Sequence, residues 1–540
     1  MNSPFKAIAL RCIGIGTAIA LLGCHPADDG HSRDGLLYCS QGTPSSFNPQ
    51  LNTSATVVEA TSFQLYDRLV DISDDGHQLL PGLAERWDTN DEATVYTFYL
   101  RRNVRFHHTD YFSPSRMFNA DDVLFSFNRI VDKTHPYHYV GGGEYSFFTS
   151  VGLPLMVKSI SALDEHTVQF ELFAPDSTFI TNLATNFSVL LSAEYGEMLS
   201  TQGQRHLIDK HPIGTGPYRF YRYKDEQYIK YKRHNDYWKG RPALTNVVYD
   251  ITPNGTMRLA KLLTGECDVM ALPLASDLSL LRSKPSLELQ YQSGFNLGYW
   301  AFNTEREPFN NPRVRRALSM AVDRAPIMEA VYYGTASPAD SLLPPASWAY
   351  HSSIDRADFN RTEARKLLTE AGYPNGFSMD IWVMPVQRAY NPNAKKMALL
   401  MQENLRAIGV KVNMVTYDWG VFRTKLSQGL HDSVLIGWTA DNADPDNFFR
   451  PLLSCQAKFA GTNRAMWCDK YFDRLIDNAR QSIDLQTRKD LYMQAQFYLN
   501  EQMPLVPIAH GMRMQAVRKH IHGLEVEAFG GINFSTVTVE

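Results

Sequence analysis

The chain has 540 residues, of which 44% are hydrophobic, 12% aromatic and 20% charged. This is the balance of a folded globular protein and excludes disordered and fibrous classes. A formal net charge of −4 leaves no basic excess for nucleic acid, so no nucleic-acid partner is expected. The length exceeds what one core holds and predicts two or three lobes.

The chain opens with Lys6 and Arg11 around the start of an apolar run at 13–22. That run is too short to span a bilayer, and residues 1–23 read as a secretory signal peptide. Leu21-Leu22-Gly23-Cys24 resembles a bacterial lipobox, in which the cysteine is acylated and becomes the first mature residue. An ordinary signal peptide that contains a cysteine is the alternative. The polar residues that follow make 24–34 a short unfolded tether. Without residues 1–23 the net charge becomes −6.

Export to an oxidising compartment makes the remaining cysteines disulfide candidates. Cys12 leaves with the signal and Cys24 carries lipid, so Cys39, Cys267, Cys455 and Cys468 remain. Four cysteines admit three pairings. Cys455 and Cys468 are close in sequence across a loop containing Gly and Asn, which predicts a local bridge and leaves Cys39 with Cys267. No C-x-x-C or H-E-x-x-H spacing occurs, so no metal site is expected.

Along the body, strands are predicted at 36–40 and 96–100. Asn119-Ala120-Asp121-Asp122 predicts the capped start of a helix with Val123, Leu124 and Phe127 on one face. A Gly-rich stretch, GGGEYSFF, follows at 141–148. Further strands are expected at 167–172, 218–222 and 247–251. A helix starts at Asn311-Pro312; others span 362–371 and 394–408, closed by Gly372 and Gly409. Then come a strand at 411–417, a short helix around Phe422 and Leu426, and a buried strand at 434–439. Helices at 471–480 and 487–501 precede an apolar strand at 505–509. Alternating strand and helix from 375 onward predicts an α/β lobe.

Five segments carry a family resemblance: NADDVLFSFNRI (119–130), PIGTGPYRF (212–220), AFNTEREPFNNPRVRRALSMAVDR (301–324), WVMPVQRAYNPNAKKMA (382–398) and GWTADNADPDNFF (437–449). They resemble the large family 5 extracytoplasmic solute-binding proteins of peptide-importing ABC systems, and the likeness runs from near residue 36 to the C-terminus. TDYFSPSRMFNADDV, LLTGECDV, PPASWAY and FFRPLLSC lean toward the antimicrobial-peptide-sensitivity (Sap) branch; MPVQRAYNPNA leans toward the dipeptide-binding (Dpp) branch. The resemblance implies an α/β, two-lobed clamp of the periplasmic-binding-protein class II type, with mixed sheets flanked by helices. Lobe I is discontinuous, from 35–64, 212–292 and 508–540, with 65–211 as an inserted subdomain and 293–507 as lobe II. It further implies a monomeric periplasmic receptor for short peptides, working with an ABC permease and its ATPase subunits, without cofactor or catalysis. Dpp-type proteins also carry two disulfides that match Cys39–Cys267 and Cys455–Cys468. Relatives that bind haem, glutathione or metal chelates supply the alternative ligand classes.

A free peptide brings an ammonium and a carboxylate, and burying either one unpaired is costly. Asp441 matches the family's ammonium-binding aspartate, although Asp-Asn-Ala-Asp-Pro is also turn chemistry. Asp444 and Asp446 read as caps for a helix at 447–453. Arg388 matches the arginine that grips the carboxylate in dipeptide binders, by a fork of parallel hydrogen bonds; alone it reads as a solvated loop arginine. Such a grip implies a dipeptide-sized ligand. Gly42 and Thr43 lie in a segment that lines the cleft in the family, or in a surface turn. Trp438 either walls the cleft or packs behind its strand. Phe106-His107-His108 and the aromatics of 139–148 have no assigned role. No phosphate loop and no G-x-S-x-G elbow occur, so no enzyme activity is expected and ATP hydrolysis belongs to a partner.

Overall fold

The apolar strand expected at 505–509 continues unbroken as Leu505–Arg518, and the main sheet is built around it. The computed structural model describes residues 35–73, 76, 78–354 and 357–540. The expected signal peptide with Cys12, the expected lipidation site Cys24 and the expected tether lie outside the described residues. Residues 34–540 make up one compact unit. Among the described residues no helix is long and apolar enough to cross a membrane.

The main sheet has 12 strands. One half of Leu505–Arg518 pairs with Asn296–Phe302 through residues 505–509. Beyond Asn296–Phe302 come Ser433–Thr439, Ser378–Val383 and Lys411–Val415. Ser378–Val383 runs parallel to both its neighbours, and the helix Ala394–Arg406 makes the crossover to Lys411–Val415. The other half of the long strand pairs with Leu287–Ser293 and Val269–Ala271. From there the sheet continues through Gly35–Ser40, Asn246–Ile251, Tyr228–Arg233 and Tyr218–Lys224. A separate antiparallel sheet of four strands joins Ala84–Thr89, Val95–Leu100, Thr167–Leu172 and Val157–Asp164. The architecture is therefore α/β, with mixed sheets flanked by helices.

The apolar cores follow this division. The largest gathers residues between 295 and 509, with Ala528. A second draws on residues between 58 and 213, and a third on 36–66, 189–271 and 517–537. Local chemistry sets the helix ends as expected. Asn119 and Asp122 form a reciprocal capping box on Ala120–Val131. Gly372 and Gly409 follow their helices at φ +93° and +86°, where a side chain would be strained. The disulfides are Cys39–Cys267 and Cys455–Cys468, with Cα atoms 5.9 and 4.4 Å apart.

The long strand outruns its predicted end for a specific reason. His510-Gly511 breaks the apolar pattern, but the short strand Ala336–Pro338 pairs with residues 509–511 and the side chain of the buried Asn296 also holds Gly511. The Asn296 amide donates to the Gly511 carbonyl at 2.7 Å and its oxygen accepts from the Gly511 N–H at 2.8 Å. The strand thus passes from one set of partners to the other without losing a backbone bond. Asn296→Ala would strand both groups and should cost about 2–6 kcal/mol at about 1–3 kcal/mol per orphaned buried group. Thermal unfolding should show a clear fall in midpoint; an unchanged midpoint would remove Asn296 from this role.

Candidate functional site

A cleft open to solvent lies where the two halves of the long strand diverge, with about 680 Å³ of space between its walls and in its mouth. One side of its wall carries Arg388, Tyr390 and Thr439; the other carries Tyr38, Glu59 and Arg513. Gln41 and Gln515 add neutral polar groups.

Arg388 reaches the cavity from a tight turn. Its N–H and carbonyl exchange hydrogen bonds with those of Asn391, both at 3.1 Å. This turn rests directly on the sheet, and glycine makes that possible. A Cβ at Gly437 would strike the Tyr390 ring and the Leu297 carbonyl, and one at Gly511 would strike the Ala389 carbonyl. The Tyr390 carbonyl accepts from the Tyr332 hydroxyl at 2.9 Å, which pins the turn from behind. The Arg388 guanidinium donates to the Gln387 carbonyl at 2.8 Å and sits 5.6 Å from the centre of the Trp419 ring. No carboxylate among the described residues forms an ion pair with it. Gly437→Ala should displace Tyr390 and weaken both folding and ligand capture, read together as a lower unfolding midpoint and a raised Kd.

Asp441 follows the strand Ser433–Thr439, two residues past the cavity-lining Thr439. Asn447 organises this corner: its Oδ1 accepts from the Asp441 N–H at 3.0 Å and the Trp438 indole N–H at 3.3 Å. Trp438 also packs against the largest apolar core, so its ring has a structural duty whatever it shows the cleft. Burial pushes the Asp441 carboxyl up to about 7, with a hydrogen bond from Asn447 opposing. No cation pairs with it. The neighbouring acids behave differently. Asp444 and Asp446 are buried and pair with Arg488 at 2.7 Å and Arg450 at 2.8 Å. Asp446 is the first residue inside the helix Asp446–Leu453 rather than its cap, which corrects the expectation for that acid, whereas the Asp444 carboxylate accepts the Asp446 N–H at the helix start at 3.0 Å. Both carboxylates, withdrawn from water, are also held by guanidinium groups.

The opposite wall holds residues that sequence reasoning missed. Glu59 lies in the helix Ala55–Thr61 and accepts from the Tyr38 hydroxyl at 3.1 Å and the Gln41 amide at 3.4 Å. Burial raises its carboxyl, while Arg513 and Arg388 pull it back down. Burial lowers the Arg513 guanidinium, opposed by Glu59 and Glu527. Glu59 was visible as the single acid in ATVVEAT, and Arg513 as a charge within an alternating strand. Gly42 and Thr43 are half-buried beside Gln41 but do not themselves line the cavity. Among the described residues no three His, Cys, Asp or Glu side chains converge as metal ligands would.

Beyond Asp441 the cleft is bridged. The Asn442 amide donates to the Asn182 oxygen at 3.2 Å, and Arg480 pairs with Asp176 at 3.2 Å.

Comparison with known proteins places this geometry. Residues 78–460 match the family described as "Bacterial extracellular solute-binding proteins, family 5 Middle". The dipeptide-binding protein of Escherichia coli K12 is 41% identical over 94% of this chain and 94% of its own. The probable ABC transporter periplasmic-binding protein SapA of the same strain is 42% identical over 97% of this chain and 95% of its own. A crystal structure of the dipeptide-binding protein from Pseudoalteromonas sp. SM9913 in complex with Met-Leu superposes with a TM-score of 0.89 at 48% identity, covering 94% of this chain and all of that one. The chain belongs to the family 5 bacterial extracellular solute-binding proteins. It has the two-lobed α/β fold of the periplasmic peptide-binding proteins.

The charge state of Asp441 gives a stability test. Its folded value lies above the ordinary 3.8, so the folded state binds the extra proton between about pH 4 and 7. Stability from this group therefore falls as pH rises through that window. Ligand-free Asp441→Asn should unfold at a higher temperature than the parent at about pH 8, and at a similar one near pH 4. A parent that matches or exceeds the variant at both pH values would show Asp441 to be satisfied without ligand.

Proposed function

We propose that this chain is the extracytoplasmic receptor of a peptide-importing ABC transporter and that it reads its ligand by the two charged ends. The supporting observation is that Asp441 and Arg388 stand unpaired around one cleft, while buried acids nearby are paired. A ligand ammonium at Asp441 and a ligand carboxylate at Arg388 would supply both missing charges. Their fixed positions on the sheet favour a dipeptide-sized ligand. The division into lobe I (35–64, 212–292, 508–540), its inserted subdomain 65–211 and lobe II (293–507) fits closure about the chain crossings at Gly294 and Gly511. A permease with ATPase subunits would receive the closed form. Acylation of Cys24 would hold the receptor at the membrane; replacing Cys24 by Ser should prevent lipid attachment, read by mass.

Calorimetric titration of ligand-free protein tests this reading. An unblocked Ala-Phe should bind, and N-acetylated and C-amidated forms should each lose at least a hundredfold. Arg388→Ala should cost about 3–5 kcal/mol for the free dipeptide. A loss below threefold, or equal binding of the blocked forms, would sink the two-ended reading. Below about pH 6 binding should weaken, because Asp441 must give up its proton to receive the ammonium.

A further inference from the structure

One end of the main sheet is strongly basic although the chain is acidic overall, at −4. The strands Tyr218–Lys224 and Tyr228–Arg233 hold six Lys or Arg residues and no acid; Asp225 and Glu226 lie in the turn between them. Arg219 stands opposite Lys232, and Arg222 opposite Lys230. Arg105 and Arg116, from a different segment, join Arg219 and Arg233 around an open groove of about 1030 Å³. Asp236 is the acid on its wall. Arg116 is engaged with Asp122 at 2.7 Å, and Arg233 donates to the Pro242 and Ala243 carbonyls at 3.2 and 3.1 Å. The guanidinium groups of Arg105 and Arg219 donate no hydrogen bond and make no ion pair among the described residues.

The sheet register connects this groove to the start of the folded chain. Gly35 is opposite Asn246, Asn246 opposite Lys232, and Lys232 opposite Arg219, in one row across adjacent strands. At about 4.8 Å per strand, Gly35 lies about 14 Å from Arg219. Residues 24–34 can reach at most about 40 Å.

We propose that this basic end of the sheet is a docking surface for the anionic headgroups of a phospholipid membrane. A chain tethered through residue 24 must stay near the bilayer, and the end from which the tether leaves carries the free guanidinium groups. Lysine and arginine on an edge strand also guard against strand addition. That duty does not account for Arg105 and Arg116, which lie outside the edge strands and turn the edge into a concave site. The proximity argument rests on the tether at Cys24 proposed above, whereas the charge of the surface does not, and binding is tested without the anchor and independently of the peptide cleft.

The chain from residue 34, a compact unit by itself, would be floated with vesicles of phosphatidylcholine alone or mixed with phosphatidylglycerol. Binding to the anionic vesicles should exceed the neutral ones at least tenfold at about 0.05 M salt and weaken at about 0.15 M. The triple variant Arg105→Glu, Arg219→Glu, Lys232→Glu should fall to the neutral level, at about fivefold or more per charge, with its dipeptide titration unchanged. A control triple, Lys366→Glu, Lys395→Glu, Lys470→Glu, should bind like the parent. Should the groove triple not fold, the milder pair Arg105→Gln, Arg219→Gln must still lower anionic binding at least threefold. Equal binding to both vesicles, an unaffected groove variant, or an equal loss in the control would overturn the proposal.

Discussion

The structure depends on one junction, where Asn296 holds both backbone groups of Gly511. The strand Leu505–Arg518 has to serve two sets of partners that diverge around a cleft. An extended strand that changes partners ordinarily leaves an N–H and a C=O bare at the change. The Asn296 amide supplies one donor and one acceptor in the geometry of a strand neighbour, so the strand stays whole. Absence of a side chain at Gly511 then lets the Arg388 turn lie against the same spot. Fold continuity and placement of the candidate carboxylate grip thus meet at a single residue.

Charge is handled in two different ways across the molecule. Several buried charges away from the cleft are matched, Arg129 with Asp209, Arg116 with Asp122, Arg450 with Asp446 and Arg488 with Asp444, while the buried Arg315 is held by the Phe309 and Met503 carbonyls instead. Around the cleft Asp441 and Arg388 are left without partners, and Glu59 and Arg513 influence each other without a hydrogen bond between them. Asp441 thus differs from Asp444 and Asp446, which have guanidinium partners. The Asp441 carboxyl registers the cost through its raised proton affinity.

Much of this was legible in the sequence because it rests on short-range rules. The capping box at Asn119, the closing glycines at 372 and 409, and the strand at 434–439 are set by neighbours in the chain. The local disulfide follows from proximity, and the family likeness of GWTADNAD and QRAYNPN singled out Asp441 and Arg388 before any coordinates. Features that depend on distant partners were not legible. The strand past Ala509 needs Asn296, more than 200 residues upstream. The bond from the Asp446 N–H to Asp444 is local, but the ion pair of Asp444 needs Arg488, 44 residues on. Glu59 and Arg513 face each other only because the first and last parts of the chain share a sheet.

The wall of the cleft is divided by origin. Arg388, Tyr390 and Thr439 belong to the side anchored on the largest apolar core, with Asp441 two residues past Thr439, whereas Tyr38, Gln41, Glu59 and Arg513 come from the side beyond Gly511. Under the proposed two-ended reading, Arg388 and the Glu59–Arg513 pair stand on different walls of the cleft. Substitution at Glu59 or Arg513 would alter the preferred cargo and leave the glycine-supported turn and the Asn447 corner intact. A scaffold arranged in this way can diversify its diet by drift on one wall alone, and a designer can graft new selectivity there without rebuilding the grip.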